Sequence, residues 1–274
     1  MRIATWNINS VRARVDRVAA YLQARQIDVL ALQETKVKDA AFPAEPFEAA
    51  GYQVARHGLN QWNGVALISR VGLAGVRTEF PGQPAFAKPG AEPALEARAI
   101  GADCGGVTVW SLYVPHGRAQ LDPHMAYKLQ FLRALAHDAA GWLAAEASAQ
   151  FALVGDFNVA PLDTDVWDPA LFEGKTHTSG PERAALAALA EAGLREVTRE
   201  HIPAGQAYTF WDYQQLRFPK NEGMRIDFAY CSPALADRVG AVRIAREERK
   251  GKGAPDHVPV ELDLAPNPPA RPKP

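Results

Sequence analysis

Cysteine is scarce in this 274-residue chain: Cys104 and Cys231 are its only two, and neither lies in a CxxC-type spacing. That excludes a cysteine-built zinc site or a disulfide framework as the basis of the fold, and it suits a reducing compartment. Long apolar runs are missing too, with none reaching the roughly 18 residues of a membrane span. Residues 1–9 read as a strand straight after Met1, not as a charged-then-apolar signal segment. The expectation is a soluble cytoplasmic protein with no membrane partner. A basic excess is also lacking, since the formal net charge is -1. No global field draws in nucleic acid, so any such partner has to be recognised by a local arrangement of charge. There is no tandem repeat, and the one interior Gly/Pro-rich stretch, residues 81–93, reads as a surface loop and not as a linker.

What is present is core-forming sequence. The chain is 47% hydrophobic and 22% charged, enough to bury a substantial interior. Val15, Val18, Ala19 and Leu22 recur at helical spacing and predict an amphipathic helix over residues 13–25. A second, longer helix is predicted over 127–143. A third opens at Ser179 and Glu182, which have capping-box spacing. Apolar runs predict strands at 2–8, 29–33, 52–56, 64–69, 98–102, 107–114, 151–156, 225–231, 242–246 and 258–264. Strands and helices interleave without a break. The reading is one α/β domain over 1–264, followed by a Pro-rich disordered tail over 265–274.

Several apolar runs end in a polar or acidic residue, which is where α/β folds place their chemistry. Glu34 follows Val29–Gln33, at a position where an unpaired buried charge is costly and a cation offsets the cost. Magnesium, a hard ion that keeps much of its water, needs only one or two carboxylates plus a substrate phosphate. Asn7 and Asn9 offer neutral oxygens nearby, although an ion pair of Glu34 with Lys36 or Lys38 would explain the acid equally well. After Gly155, chain alternation is expected to point Asp156 and Asn158 to one side, one to orient a water and the other to hold a phosphate; a plain turn is the rival explanation. His257, beside Asp256 and with Asp227 upstream, is a candidate protonated donor to phosphate. Tyr113 is a candidate hydroxyl donor. His57, His124, His137, His177 and His201 read as structural or solvated. Phe210, Trp211, Tyr213, Met224 and Ile226 could form an apolar pocket. Lys220 and Arg225, with Arg217, Arg249, Lys250 and Lys252, could grip backbone phosphates.

These segments resemble, in order, the exonuclease III family of abasic-site endonucleases in the endonuclease/exonuclease/phosphatase superfamily. The likeness is carried by Trp6-Asn7-Ile8-Asn9, Leu32-Gln33-Glu34-Thr35-Lys36, Tyr113-Val114-Pro115-His116-Gly117, Gly155-Asp156-Phe157-Asn158, Tyr208-Thr209-Phe210-Trp211-Asp212-Tyr213, Gly223-Met224-Arg225-Ile226-Asp227-Phe228 and Pro255-Asp256-His257-Val258. Gln61-Trp62-Asn63-Gly64 and Trp211-Asp212-Tyr213 resemble the bacterial branch, which implies a nucleoid-associated protein.

The resemblance implies a four-layer α/β sandwich, with two mixed sheets face to face and helices outside. It implies magnesium, with manganese as the alternative. Glu34 would be the principal metal ligand, Asn7 would support it, and Asp256 would lie at the metal edge. Asp156 would deprotonate the attacking water, Asn158 and Tyr113 would hold the scissile phosphate, and Asp227 would orient His257. Asn9 would contact substrate. Phe210, Met224 and Ile226 would line the abasic-sugar pocket. Asn9 and Pro255 depart from the aspartate and serine of relatives. The implied activity is hydrolysis 5′ to abasic sites and 3′-to-5′ trimming of duplex DNA by a monomer. The competing readings are a same-fold phosphatase acting on a small ester and a DNA-binding module with weak catalysis.

Overall fold

The computed structural model describes residues 1–87, 90–203, 205 and 207–266. Twelve strands are described: β1 (Arg2–Asn7), β2 (Val29–Gln33), β3 (Gln53–His57), β4 (Val65–Ser69), β5 (Ala74–Arg77), β6 (Ala99–Cys104), β7 (Val107–Tyr113), β8 (Phe151–Asp156), β9 (Arg195–Glu196), β10 (Asp227–Cys231), β11 (Val239–Ile244) and β12 (Val260–Leu264). The helices are α1 (Val15–Arg25), α2 (Glu45–Ala49), α3 (Pro123–Ala145), α4 (Gly180–Glu191), α5 (Val197–His201), α6 (Arg217–Lys220) and α7 (Pro233–Ala236). Among the described residues, no helix is long and apolar enough to cross a membrane. Most of the expected tail, residues 267–274, lies outside the described residues.

The strands form two six-stranded mixed sheets. One runs β11-β12-β1-β2-β4-β3 and the other β5-β6-β7-β8-β10-β9. Each contains one parallel pair joined by a helix, β1 with β2 through α1 and β7 with β8 through α3. The remaining neighbours are antiparallel.

Side-chain alternation builds the layers. Ile3, Val29, Ala31, Val65 and Leu67 face Ile100, Val107, Val109, Ala152, Val154 and Ala229 across the gap between sheets. The alternate residues face outward. Ala4, Trp6, Leu30 and Leu32 pack under α1 and α2, while Trp110, Leu112, Leu153 and Phe228 pack under α3 and α4. The expected helix–sheet–sheet–helix sandwich is the observed fold. One polar stitch crosses the inner layer. Gln33 Nε2 donates to Thr5 Oγ1 at 3.0 Å and to Ser111 Oγ at 2.9 Å, and Ser111 Oγ donates to the Leu32 carbonyl at 2.8 Å.

Differences from the expected elements have local causes. α3 starts four residues earlier than predicted because Asp122 caps it, accepting from the His124 N–H, with Pro123 at the first helical position. The Ser179/Glu182 capping box forms as expected. β5 escaped the sequence because all four of its residues are exposed and leave no apolar alternation. Gly155 does not turn the chain but lies within β8, where a Cβ would stand 1.9 Å from the Leu112 carbonyl oxygen of neighbouring β7. Glycine is required there by close strand approach.

Candidate active site

The topology brings the strand-end residues together. β1, β2, β7 and β8 all finish at one edge of the sandwich. β10 runs antiparallel to β8 with Asp227 opposite Asp156, so its first residue joins that edge. The loop before β12 returns His257 there, and the Trp6 indole donates to its carbonyl at 3.1 Å. Parity completes the placement. Asn7, Tyr113, Asp156 and Asp227 continue the inner-face series of their strands, so all four point into the mouth between the sheets.

Glu34 follows β2 in the left-handed region, with φ 51°. One carboxylate oxygen accepts from Asn7 Nδ2 at 2.8 Å and the other faces Lys36 Nζ at 2.7 Å. Burial pushes this carboxyl up, but the Lys36 ammonium and the hydrogen bonds from Lys36 and Asn7 outweigh it, and the pKa falls below the usual range. The ion pair with Lys36 therefore exists, and it keeps Glu34 ionised at the mouth. Asn7 Nδ2 also donates to Asp156 Oδ2 at 3.0 Å, which ties the two carboxylates together across the sheets. Asn9 accepts from Lys36 Nζ and donates through Nδ2 to Asp256 Oδ1 at 3.0 Å.

Asp156 and Asn158 do face each other, though not by strand alternation. The strand ends at Asp156, and Asn158 turns back with φ 54°. Its backbone N–H then donates to Asp156 Oδ1 at 2.9 Å and its side-chain amide to Oδ2 at 3.2 Å. Burial lifts the Asp156 carboxyl well above the usual range; His257 opposes the shift, and Asp227 and Glu34 add to it. His257 Nδ1 lies 2.9 Å from Asp227 Oδ2, and Nε2 lies 3.8 Å from Asp156 Oδ2. Burial pulls the imidazole down, but Asp227 and then Asp156 outweigh it, so His257 is held protonated well above its ordinary pKa. Tyr113 is pushed far up by burial and by the charge on Glu34, so its phenol keeps its proton. Arg98 lies under that ring, 4.9 Å from its centroid.

Four of the backbone positions here, Asn9, Glu34, Lys36 and Asn158, are non-glycine residues with positive φ. Each costs about 1–3 kcal/mol and persists where the surroundings over-determine it, which is typical of functional sites.

Glu34, Asp156 and His257 bring one possible ligand atom each within 4.8 Å of one another. With His257 protonated, the usable donors are carboxylate oxygens, and they suit a hard divalent ion. Asp256 stands outside this group, reached through Asn9.

The apolar pocket forms in part. Phe210, Met224 and Ile226 gather with Ala160, Val166 and Phe172, and the Phe210 ring lies 4.8 Å from that of His257. A cleft of about 290 Å³ opens beside them, with Trp167, Leu171, Phe172, Phe210 and Met224 on its walls together with the charged Lys175, Asp212, Arg217 and Glu222. Trp211 is a correction: it is fully buried and packs with Tyr208, Val258 and Phe218, on the opposite side of the chain from Phe210. Arg225 is another. It is 1% exposed between Met224 and Ile226, and its Nη1 donates to the Ile202 carbonyl at 2.8 Å, so it cannot grip a phosphate at the surface. Lys220 ends α6 exposed to solvent. His177, read from the sequence as structural or solvated, is buried against the site, with Nδ1 2.6 Å from the Asn158 carbonyl.

The family model described as "Endonuclease/Exonuclease/phosphatase family" matches residues 4–253. The chain belongs to this family. It is 31% identical to exodeoxyribonuclease III of Haemophilus influenzae over 95% of this chain and 98% of that one. Its fold is similar to a 3′ phosphatase from Neisseria solved with a product DNA hairpin, at TM-score 0.89 and 33% identity, covering 97% of this chain and 99% of that one. It is also similar to an AP endonuclease from Archaeoglobus fulgidus, at TM-score 0.87 and 30% identity, covering 96% and 99%. The ordered motifs thus led to the right family and fold.

Proposed function

We propose that this chain is a DNA-repair phosphodiesterase of the exonuclease III type, which uses magnesium to hydrolyse duplex DNA at 3′ ends and on the 5′ side of abasic sites. The observation that carries this reading is the meeting of Glu34, Asp156 and His257 at one sheet edge. Residues 1–264 act as one catalytic unit, as a monomer, at the bacterial nucleoid. The named activities of the relatives support a DNA substrate, and the apolar cluster of Phe210, Met224 and Ile226, whose Phe210 ring lies against His257, supports a sugar without its base. Extrusion costs least where stacking is already lost.

Glu34 would hold the ion, supported by Asn7, with Asp256 at its edge; the ion would neutralise the non-bridging oxygens and assist the leaving oxygen. The chain's own residues do the rest. Asp156, held between the Asn158 N–H and the Asn7 amide, takes the proton of the attacking water. Its raised pKa makes it a better base than an ordinary carboxylate near neutral pH. His257 and Tyr113 present donors to the phosphate, preorganised before substrate arrives, while the Asn158 amide, which donates to Asp156 and to the Val114 carbonyl at 3.0 Å, would exchange one of these bonds for the phosphate. Asp227 keeps the imidazole charged. Asn9 and Lys220 contact the DNA backbone.

End-labelled duplexes, with and without one abasic site, incubated with magnesium, manganese or EDTA, test this proposal. The expected result is incision at the abasic site and a ladder from the 3′ end, both abolished by EDTA. Hydrolysis of soluble phosphate esters with intact DNA left uncut would favour a small-ester phosphatase. Metal-independent binding without cleavage would favour a DNA-binding module.

A further inference from the structure

Lys128 lies on α3 with no exposed surface, and it pairs with Glu182 of α4, which is equally buried. A buried ion pair is weak evidence for stability, because apolar residues of similar volume often serve as well. What apolar residues cannot supply is hydrogen-bond donation, and an ammonium has three N–H groups to give. Lys128 spends them on the loops that carry the site. Besides Glu182, its Nζ lies 2.6 Å from the Asn158 carbonyl, 3.2 Å from the His116 carbonyl and 3.5 Å from Thr176 Oγ1. The His116 loop leaves β7 after Tyr113, and the Asn158 loop leaves β8 after Asp156. Glu182 ties in the third loop, accepting from the His177 N–H at 2.8 Å and from Thr176 Oγ1 at 2.9 Å. One ammonium thus fastens three loops, and it bonds to the backbone of a residue in the left-handed region.

We infer that Lys128, with Glu182 as its counter-ion, is a positioning residue for the Asp156–Asn158 pair. Its hydrogen bond to the Asn158 carbonyl holds the φ +54° turn, and that turn is what aims the Asn158 side-chain amide at Asp156. His177 supports the same carbonyl from its Nδ1 side. Lys128 touches neither substrate nor ion. Its effect falls on the orientation of the base and the phosphate donor, and not on the Glu34 side of the mouth. The inference rests on the assignment of Asp156 and Asn158 proposed above.

The test compares wild type with K128M, E182Q and the double variant K128M/E182Q on end-labelled duplex DNA. The single variants strand a buried partner and are the ones at risk of misfolding; the double variant removes both charges and keeps the volume. Circular dichroism melts report folding. For the folded double variant, kcat is expected to fall at least tenfold, while KM and the half-saturating magnesium concentration stay within about threefold of wild type. A kcat within twofold of wild type would overturn the inference. So would a fall in kcat that merely tracks the unfolded fraction, including a double variant that does not fold. If wild type itself leaves the DNA uncut, the functional assignment fails instead, which keeps the two failures distinct.

Discussion

His257 Nδ1 sits 2.9 Å from Asp227 Oδ2, inside a mouth where both side chains are almost wholly buried. Buried charge is tolerated here because it is paired, and the pairing keeps the imidazole charged at neutral pH. For Asp227→Asn the sign follows directly. Losing the carboxylate lowers the His257 pKa toward its ordinary value, so the donor loses its proton at lower pH than in wild type. The alkaline limb of the rate profile should shift to lower pH, and cleavage near pH 8 should drop about 10²-fold, the scale of one lost oxyanion-type donor. A pH–rate profile with an unmoved alkaline limb would remove His257 from this role.

Asp156→Asn should abolish proton abstraction while leaving the fold and DNA affinity close to wild type. Turnover is expected to fall about 10²–10⁴-fold, the usual worth of a positioned base. Gel-shift affinity and single-turnover cleavage measured on one preparation separate binding from chemistry. Cleavage at a near-normal rate would exclude Asp156 as the base.

The raised pKa of Asp156 also sets an acid limb. The base works only when ionised, so kcat/KM should fall as pH drops through a value well above that of an ordinary aspartate. A divalent cation at Glu34 favours the ionised form, so raising magnesium should move this limb to lower pH. Profiles at two magnesium concentrations check the direction; a limb that moves the other way would contradict the arrangement.

Glu34→Ala should raise the magnesium needed for half-maximal activity by tenfold or more, since on the proposed assignment it deletes the principal carboxylate ligand. It also frees Lys36 from its ion pair. A metal titration that overlays wild type would place the ion elsewhere.

Gly155→Ala should destabilise the sheet without touching any catalytic group, because its Cβ would meet the Leu112 carbonyl oxygen at 1.9 Å. Overpacking of this kind costs about 1–3 kcal/mol, and strand separation puts this site at the upper end, so Tm should drop by roughly 5–10 °C. A thermal melt reads it.

How much of this was legible in the sequence depended on which physical signal each residue carried. Glu34, Tyr113 and Asp156 announced themselves because a polar residue closes an apolar run, and the strand ends are where the structure places them. The pocket was legible as a cluster but not as a face. Phe210 and Trp211 are adjacent in an extended segment and point opposite ways, as do Arg225 and its neighbours Met224 and Ile226. A strict period of two would have separated them, but these segments are too short and irregular for the period to show. Lys128 was hidden for another reason. Within a helix its sequence context resembles any solvent-facing lysine, and only the packing of α3 against α4 turns it inward. The left-handed turns at Glu34 and Asn158 are likewise imposed by their surroundings, since neither residue is glycine.

The hydrogen bonds from Gln33 to Ser111 and from Ser111 to the Leu32 carbonyl join the two sheets just beneath the mouth. Asn7, Glu34 and His257 come from the first sheet and its loops, whereas Tyr113, Asp156, Asn158 and Asp227 come from the second. Neither sheet owns the chemistry. A chain in which the two sheets are not docked holds the two sides of the site apart. The distance between Glu34 and Asp156 is therefore a property of how the sheets dock, and not of either sheet alone.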